Sequence, residues 1–293
     1  MRQFEQGKLI HVLSERQLRE RVFIIVQEVR ACYSHLNDPY ALARELGYKV
    51  VESSSASSPM FEGASLDHVI FLRTYDCLNE ERKRFTLYHE ICHGLLRKDE
   101  WFWSVLHDQF KSDRDFSYVK ERLCNIGAAE FLLPRSSISN ILASEGVSVA
   151  HISKLANQFR ASKLATAIQI ADCATHECIM VVATRMLDFT QNLSRLIEFP
   201  GSNKPRLVVE YSMPSTTTKY KVARYVPIRS NSIIASAEEA PAGVMLTGRD
   251  LVPFKFRTRW EVEVEAVRLG SRIYALFNLK PPQPVDDRQL SLF

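Results

Sequence analysis

The most constraining feature of this chain is FTLYHEICHGLL, residues 85–96, which places His89, Glu90 and His93 inside an otherwise apolar run. On a helix, side chains four positions apart lie on the same face, so the two imidazoles are expected to project side by side. Two histidines and a carboxylate are costly to bury unless they share a partner. A divalent metal ion is the partner that this spacing favours.

The motif has the form HExxH, and each of its residues has a distinct chemical role. His89 and His93 are predicted to bind one zinc ion, at about 2.0–2.1 Å per Zn–N bond. Glu90 is adjacent to the first ligand and is predicted to take a proton from the water that attacks a carbonyl. An accidental HExxH is expected in only about one in a hundred chains of this length. The motif therefore predicts a zinc peptidase.

A catalytic zinc ion needs a third protein ligand and an open position. Position 99 holds Asp99, so the extended motif HExxHxxGxxH of the metzincins is excluded. A helix predicted over residues 115–133 offers Glu121 and Glu130, and His107 precedes that helix. Both glutamates share helical stripes with apolar or small residues, so periodicity does not decide between them. From the residues alone, the three candidates remain open.

Periodicity predicts an α+β fold whose helices and strands are partly segregated along the chain. Near the N-terminus, four segments have helical patterns or caps and two have strand character: helices over 14–33, 40–47, 80–98 and 115–133, strands over 48–53 and 67–73. From about residue 177, short strands are predicted at CIMVVATRM, RLVVEYSM, WEVEVEAVRL and RIYALFNL. In the third of these, Val262, Val264 and Ala266 alternate with Glu261, Glu263 and Glu265. One face of that strand is therefore predicted to be buried and the other solvated.

The composition is that of an ordinary globular protein. The 293 residues are 46% apolar and 25% charged, with a net charge of +4, which does not by itself indicate nucleic-acid binding. The six cysteines form no CxxC pair and are expected to be reduced thiols. Redox sensing at Cys92 or Cys124 is a further interpretation, although small buried packing residues are the commoner fate of free cysteine. With neither a signal peptide nor an apolar run of about 20 residues, the predicted location is cytoplasmic, without membrane contact.

HEICHGLL followed by ERLCNIGAAEFLLP resembles the ImmA/IrrE family of zinc metallopeptidases. That family shows HExxH and then E-x-x-A/C-N-x-x-A-A-x-L-L-M-P on the next helix. The resemblance spans residues 35–175 and is closer to the IrrE-type branch, because residues 124–129 read CNIGAA. It implies that Glu121, four residues before Asn125, is the third ligand of Zn²⁺, with Mn²⁺ as an alternative ion. Glu130 falls at a position that the family lets vary.

The resemblance, the change to short strands near residue 176 and the proline- and aspartate-rich C-terminal sequence together imply an architecture of four parts. A zincin-like metallopeptidase domain with a small sheet and the HExxH helix is expected over 1–140. A helix-turn-helix-like helical segment is expected over 141–176, a β-rich GAF-like sensory domain over 177–280 and a flexible tail over 281–293. The GAF-like assignment depends on the length and texture of the C-terminal half more than on a motif.

The implied function is site-specific proteolysis by a zinc metalloendopeptidase. Proteins of this family cut a repressor of the helix-turn-helix (XRE) class, and in the IrrE-type branch this induces a response to radiation, desiccation or DNA damage. The strand over 67–73 is expected at a sheet edge, where Ile70 and Leu72 would help to bind a substrate strand. The donor that stabilises the oxyanion is unassigned, with Tyr88 and Tyr118 close by in sequence.

The paired helices VAHISKLANQF and KLATAIQIADC give an alternative function. Their break at residues 160–161 and the capping Ser162 resemble a helix-turn-helix, so the chain would be a DNA-binding regulator with a non-catalytic metal site. The second helix offers only Lys163, Thr166 and Gln169 as polar contacts, which is little positive charge for phosphate binding. A helical hairpin that packs on the peptidase or grips the repressor is the other interpretation.

The C-terminal sequence QLSLF indicates a possible protein partner. It resembles the pentapeptide by which bacterial polymerases and repair proteins bind the sliding clamp. The predicted contacts are a glutamine followed by hydrophobic anchors for a pocket, namely Gln289, Leu290, Leu292 and Phe293. Packing of the same residues as a tail strand is the alternative.

Overall fold

The computed structural model describes residues 12–53, 63–66, 68–73, 79–186, 205–254 and 260–279. The chain divides into two compact units, one comprising Met1–Pro134 with Phe159–Ser162 and the other Arg135–Gln158 with Lys163–Phe293. Among the described helices, none combines the length and the apolar character that a bilayer span requires. The four residues predicted to bind a sliding clamp, Gln289, Leu290, Leu292 and Phe293, lie outside the described residues.

Within the described residues, the first unit consists of five helices and a small sheet. Its elements are α1 (Glu15–Cys32), α2 (Pro39–Glu45), β1 (Lys49–Ser53), β2 (Gly63–Leu66), β3 (Val69–Arg73), α3 (Glu80–Lys98), α4 (Glu100–Gln109) and α5 (Asp113–Leu132). Ser14 and Gln17 form a reciprocal capping box at the start of α1. The Asn79 side chain accepts a hydrogen bond from the Arg82 N–H at the start of α3. These two caps confirm the helix starts that the sequence predicts.

The small sheet has the strand order β1-β3-β2, with β3 parallel to β1 and antiparallel to β2. The prediction that residues 67–73 form a sheet edge is therefore wrong, because β3 is paired on both sides. Ile70 is 0% exposed and Leu72 is 3% exposed, since alternate side chains of this strand enter the apolar core. Neither residue is available to a substrate strand. An edge of the sheet belongs to β2 instead.

Two glycines permit close packing around α3. A Cβ atom at Gly94 would lie 1.7 Å from the hydroxyl oxygen of Tyr48, and one at Gly127 would lie 2.6 Å from Cys92 Sγ. No side chain fits at either position without displacing its neighbour. Gly127 is on α5 and Cys92 is on α3, so the missing side chain allows these two helices to approach each other closely.

In the part of the chain that the structure describes, the second unit is built on a five-stranded sheet. Its elements are α6 (Arg135–Glu145), α7 (His151–Phe159), which ends at the boundary between the units, α8 (Lys163–Cys173), β4 (Cys178–Met186), β5 (Arg206–Pro214), α9 (Ile233–Glu239), β6 (Met245–Leu251), β7 (Glu261–Leu269) and β8 (Arg272–Asn278). The strand order is β5-β4-β8-β7-β6, and all pairs are antiparallel. The sequence predicts four of these strands. It does not predict β6, because MLTGRDL is mostly exposed and contains a glycine and two charged residues.

The predicted alternation along β7 is confirmed on its apolar face. Val262, Val264 and Ala266 are buried in the main core of this unit, with side chains from β4, β8 and α9. Of the three alternating glutamates, Glu265 differs from the prediction of a solvated face. Its Oε2 accepts hydrogen bonds from Ser148 Oγ at 2.6 Å and from the Val149 N–H at 3.1 Å. That carboxylate therefore anchors the segment that leads into α7.

The helix-turn-helix-like segment is present as two helices, but it does not present a DNA-reading surface of the expected kind. The backbone breaks at Arg160, whose φ of 50° ends α7. Thr166 is 0% exposed and Gln169 is 4% exposed, so the prediction that they reach outward from the second helix is wrong. Of the three polar contacts expected there, only Lys163 is exposed.

Candidate metal centre

Local signals place the HExxH motif on a stable helix. Glu80 and Glu81 lie in the first turn of α3, and Arg97 and Lys98 lie in the last, which complements the helix dipole at both ends. Between these ends, the motif faces the interior, so that Glu90 and His93 are buried among apolar side chains. The helix is therefore held at its ends by charge and in its middle by burial.

Three ligand-type side chains from two helices converge at one point. The Nε2 atoms of His89 and His93 are 3.1 Å apart. Glu121 on α5 places Oε2 at 3.1 Å from His89 Nε2 and Oε1 at 3.5 Å from His93 Nε2. The structure thus brings together the two histidines of the motif and one of the two candidate glutamates.

The distances among these atoms fit a small tetrahedral ion. Bonds of about 2.0–2.1 Å in tetrahedral geometry separate neighbouring ligand atoms by about 3.3 Å. The observed separations of 3.1, 3.1 and 3.5 Å lie on either side of that value. The donor set, two imidazole nitrogens and a carboxylate, is one that zinc accepts.

The Nδ1 atoms of both rings contact side chains that orient the rings for metal binding through Nε2. His89 Nδ1 is 3.0 Å from Asn125 Oδ1, and His93 Nδ1 is 3.3 Å from Cys124 Sγ. Because an amide oxygen only accepts, the proton of neutral His89 lies on Nδ1 and the lone pair lies on Nε2. In His93, the same arrangement directs Nδ1–H to sulfur. Two lone pairs and a carboxylate then face one another, and a cation between them relieves their repulsion.

The electrostatics of Glu121 favour its charged form. A proton between the Glu121 carboxylate and His89 Nε2, and then His93 Nε2, is one such cation, and this hydrogen bonding holds the pKa of the carboxyl well below its usual range, although partial burial acts in the opposite direction. The Lys120 ammonium lies 3.5 Å from Glu121 Oε1. The carboxylate is therefore ionised at neutral pH, as a metal ligand must be.

Glu90 lies beside the converging atoms. One ligand-type atom each from His89, Glu90 and His93 fall within 4.8 Å of one another, and Glu90 is 5% exposed. Its carboxylate borders β2, where a Cβ at Gly63 would lie 3.1 Å from Glu90 Oε1. Glu90 is thus enclosed between the histidines and the edge strand of the small sheet.

The other two candidates for a third ligand lie elsewhere. Glu130 is nine residues after Glu121 on α5, which is two and a half turns and about 13 Å along the helix axis, on its opposite side. His107 stacks on the Phe116 ring at 4.1 Å between centroids and meets the Trp103 ring edge-on at 5.3 Å. These contacts place His107 in an aromatic cluster formed by α4 and α5.

The two tyrosines considered as oxyanion donors differ in position. Tyr88 is buried and stacks on Phe131 with ring centroids 5.0 Å apart. Tyr118 is 68% exposed and lies three residues before Glu121, on the same side of α5. Of the two, only Tyr118 is exposed and shares a face of its helix with Glu121.

The cysteines close to the site are buried packing groups. Burial raises the pKa of Cys92 and that of Cys124 well above the usual thiol range. Both groups are therefore neutral thiols at physiological pH, which makes them poor candidates for oxidation. The clearest role of Cys124 is its contact with His93.

Replacing Asn125 by alanine is expected to lower metal affinity about 10- to 100-fold, because the partner that orients the His89 ring is lost. Competition with a chromophoric chelator measures this change. The matched control is Asn140→Ala, at an exposed asparagine on α6, which should leave the affinity unchanged. Equal affinities for both variants would show that Asn125 does not orient the ring.

Comparison with known proteins identifies the relatives of this chain. The family model for the IrrE N-terminal-like domain matches residues 43–170. The radiation response metalloprotease IrrE of Deinococcus deserti is 30% identical over 213 residues, covering 72% of this chain and 71% of that protein. The protein of the same name from Deinococcus radiodurans is 26% identical over 201 residues, covering 69% of this chain and 60% of that protein.

The fold of the first unit, the histidine–glutamate cluster and these matches define a metalloprotease. The chain belongs to the IrrE-type peptidase family, which confirms the resemblance seen in HEICHGLL and ERLCNIGAAEFLLP. Among solved structures, a Mycobacterium tuberculosis transcriptional regulator superposes with a TM-score of 0.55 at 12% identity. That match covers 89% of this chain and 76% of the other, and it shows a shared fold only.

Proposed function

We propose that this protein is a zinc-dependent, site-specific endopeptidase that cleaves a transcriptional repressor of the helix-turn-helix class and thereby induces a stress response. The observation that carries the proposal is the convergence of His89 Nε2, His93 Nε2 and the Glu121 carboxylate at 3.1–3.5 Å, beside the buried Glu90. Imidazole and carboxylate ligands with a neighbouring general base are the requirements of metal-assisted peptide hydrolysis.

Each residue of the cluster has a defined task in this reaction. His89, His93 and Glu121 would hold the ion; the two imidazoles suit zinc, and the carboxylate is also a ligand type that manganese accepts. A bound zinc ion supplies Lewis-acid chemistry, because it lowers the pKa of water and polarises a peptide carbonyl. Glu90 accepts the proton of the attacking water and then delivers it to the leaving amine. Enclosure against β2 keeps the Glu90 carboxylate aimed at the reacting atoms.

The small sheet supports a protein substrate that binds in an extended form. β2 is at the edge of the three-stranded order, and within the described residues it has no partner strand on its outer side. It also borders Glu90 at Gly63. A substrate segment that adds to β2 by main-chain hydrogen bonds would bring its scissile bond to the cluster. This assigns to β2 the role that the sequence suggested for β3.

A repressor is the substrate class that the family favours. The two relatives are named radiation response metalloproteases, and the ImmA/IrrE resemblance implies cleavage of an XRE-type repressor. In the same proposal, the part of the second unit over 177–280 is a GAF-like sensory domain. Its five-stranded antiparallel sheet with α9 packed on one face is compatible with that role.

The direct test is incubation of the purified protein with the helix-turn-helix repressor encoded nearest to its gene. We expect two fragments from a single cut in the presence of zinc, and an intact repressor after chelation. Mass spectrometry of the fragments identifies the bond. Cleavage that is insensitive to chelation, or digestion at many sites, would contradict a site-specific metalloprotease.

Strand addition to β2 has its own test once the cleaved bond is known. Peptides that span it can be N-methylated one residue at a time, which removes one main-chain donor without changing a side chain. We expect KM to rise about tenfold at alternate positions, because only every second N–H of an added strand points to the sheet. A uniform response along the peptide would exclude this binding mode.

A further inference from the structure

The Lys120 ammonium lies beside the converging ligands, and the roles assigned to His89, Glu90, His93 and Glu121 leave it without a task. Its Nζ atom is 3.5 Å from Glu121 Oε1, and its side chain is only 22% exposed. Consecutive side chains on a helix do not face each other, so Lys120 reaches this carboxylate by bending towards the cluster instead of into solvent. Lys120 is therefore a partly buried cation at the site.

The donor groups of Lys120 are available to a bound molecule. An ammonium carries three N–H donors and no acceptor. Within the part of the chain that the structure describes, Glu121 is the only carboxylate paired with Lys120. Their separation of 3.5 Å exceeds the roughly 2.7–2.9 Å of a charge-assisted hydrogen bond. Lys120 can therefore donate to an oxygen atom of a substrate.

The charge of Lys120 opposes metal binding at the cluster that it borders. A cation next to a ligand oxygen repels a divalent ion held by that oxygen. The contact is also too long to orient the Glu121 carboxylate in the way that Asn125 Oδ1, at 3.0 Å from His89 Nδ1, orients that ring. Lys120 therefore does not support the ligand set, and its charge suits an anion in the site.

The charge balance of the site leads to the same conclusion. A divalent ion would be cancelled by the two carboxylates of Glu90 and Glu121, and the two histidines are neutral when they bind through Nε2. Without Lys120, the site would have no net charge to offer an anion. With Lys120, one positive charge remains in a place where water is partly excluded, which strengthens its attraction for an anion.

Peptide hydrolysis creates such an anion for a short time. When the water oxygen bonds to the scissile carbon, the π electron pair of the carbonyl moves onto the carbonyl oxygen, and Glu90 takes the water proton. When this tetrahedral species collapses, the electron pair returns, the C–N bond breaks and the proton goes to the leaving amine. A donor that meets the charged oxygen between these two events stabilises the transition state more than the substrate.

We propose that the Lys120 ammonium donates a hydrogen bond to the scissile carbonyl oxygen and stabilises its developing negative charge. The proposal rests on the peptidase function proposed above, and it supplies the oxyanion donor which that function requires. Lys120 is better suited to this role than Tyr118. Tyr118 is largely exposed, whereas Lys120 is already held at the cluster, so less reorganisation is needed when the charge appears.

The first test needs no repressor and compares Lys120→Gln with the wild type. Chelator competition is expected to show zinc bound about tenfold more tightly by the variant, because a repelling charge is gone. Calorimetry of the zinc-loaded proteins with inorganic phosphate, a tetrahedral anion, is expected to show binding about tenfold weaker in the variant, because a charged donor is lost. Lys120→Arg keeps the charge and should stay close to the wild type in both measurements.

The matched control is Lys83→Gln on α3. The Lys83 side chain is 21% exposed, and its Nζ is 3.0 Å from Glu80 Oε1, so the control also removes a partly buried lysine that is paired with a glutamate. It should change neither the zinc affinity nor the phosphate affinity. Circular dichroism checks that all variants are folded.

The second test is single-turnover cleavage of the repressor. Lys120→Gln is expected to react about 100-fold more slowly than the wild type, which is the effect of losing one oxyanion donor. Lys120→Arg should recover most of the rate, and Lys83→Gln should react at the wild-type rate. Tighter zinc binding together with slower cleavage separates this role from structural damage, which would lower both.

Three results would overturn the proposal. Weaker zinc binding by Lys120→Gln would show that Lys120 supports Glu121, and an unchanged phosphate affinity would show that its charge does not act on an anion in the site. A wild-type cleavage rate in Lys120→Gln, with a slower rate in Tyr118→Phe, would give the role to the tyrosine. If the wild type cuts no repressor while zinc and phosphate respond as expected, the proposed function fails and the anion-binding role of Lys120 stands.

Discussion

Replacing Glu90 by glutamine is expected to slow repressor cleavage by about 10²–10⁴-fold while metal affinity stays the same. Glutamine has the shape of glutamate, so it fills the space between the histidines and Gly63 without disturbing either. It cannot accept the proton of the attacking water at neutral pH. Single-turnover cleavage and a zinc titration of the same preparation measure the two quantities separately.

The matched control for Glu90 is Glu28→Gln, at an exposed glutamate on α1 of the same unit. It should cleave at the wild-type rate. If Glu90→Gln cleaved at that rate too, the carboxylate would not be the general base. The result also separates the two functions considered from the sequence, because a DNA-binding regulator with a non-catalytic metal site would keep its activity in the Glu90 variant.

Replacing Glu121 by alanine is expected to lower metal affinity more than about 100-fold and to abolish cleavage. Loss of a residue that only hydrogen-bonds to a metal ligand lowers metal affinity about 10- to 100-fold, so loss of a ligand itself should cost more. The fold should survive, because the Glu121 side chain is about half exposed and its contacts are with the cluster and Lys120. Chelator competition measures the affinity, and circular dichroism checks the helices. Glu121→Asp should recover part of the affinity, because it keeps the carboxylate.

Glu130→Gln is the informative contrast to Glu121→Ala. Glu130 is buried on the far side of α5, so its replacement should lower the melting temperature while leaving the metal affinity of the folded protein unchanged. If Glu130→Gln lost the metal and Glu121→Ala kept it, the ligand assignment would be wrong. The pair of variants therefore decides between two glutamates that sequence periodicity does not separate.

The features that could be predicted from the sequence are those determined by nearby residues, such as helix caps, end charges and helical spacing. The bounds of α3 agree with the prediction because Asn79 caps its first turn and opposite charges occupy its two ends. HExxH fixes the relative positions of its own residues through helical spacing alone. These features depend on neighbours within about one turn, so the sequence contains them in full.

Features that depend on distant parts of the chain could not be predicted in this way. β2 has only four residues, GASL, and it is a strand because it pairs with β3. Without β2, the central strand looks like an edge, which is why Ile70 and Leu72 were expected to contact substrate. The proximity of Glu121 to the histidines likewise depends on how α5 is rotated about its axis relative to α3. Packing between the two helices determines that rotation, for example where Cys92 lies against Gly127.

The division of the proposed ligand set between two helices would link metal availability to the lifetime of the protein. His89 and His93 come from α3 and Glu121 comes from α5, so an ion bound by all three would cross-link two helices that are otherwise joined by packing and by the ring contacts of the histidines with Asn125 and Cys124. A ligand that binds only the folded state at 100 times its Kd adds about 2.7 kcal/mol to the free energy of unfolding. Under metal starvation, the chain would lose this increment together with its activity, and the unfolded fraction exposed to degradation would rise. The same ion would thus set both how fast each molecule works and how many molecules persist.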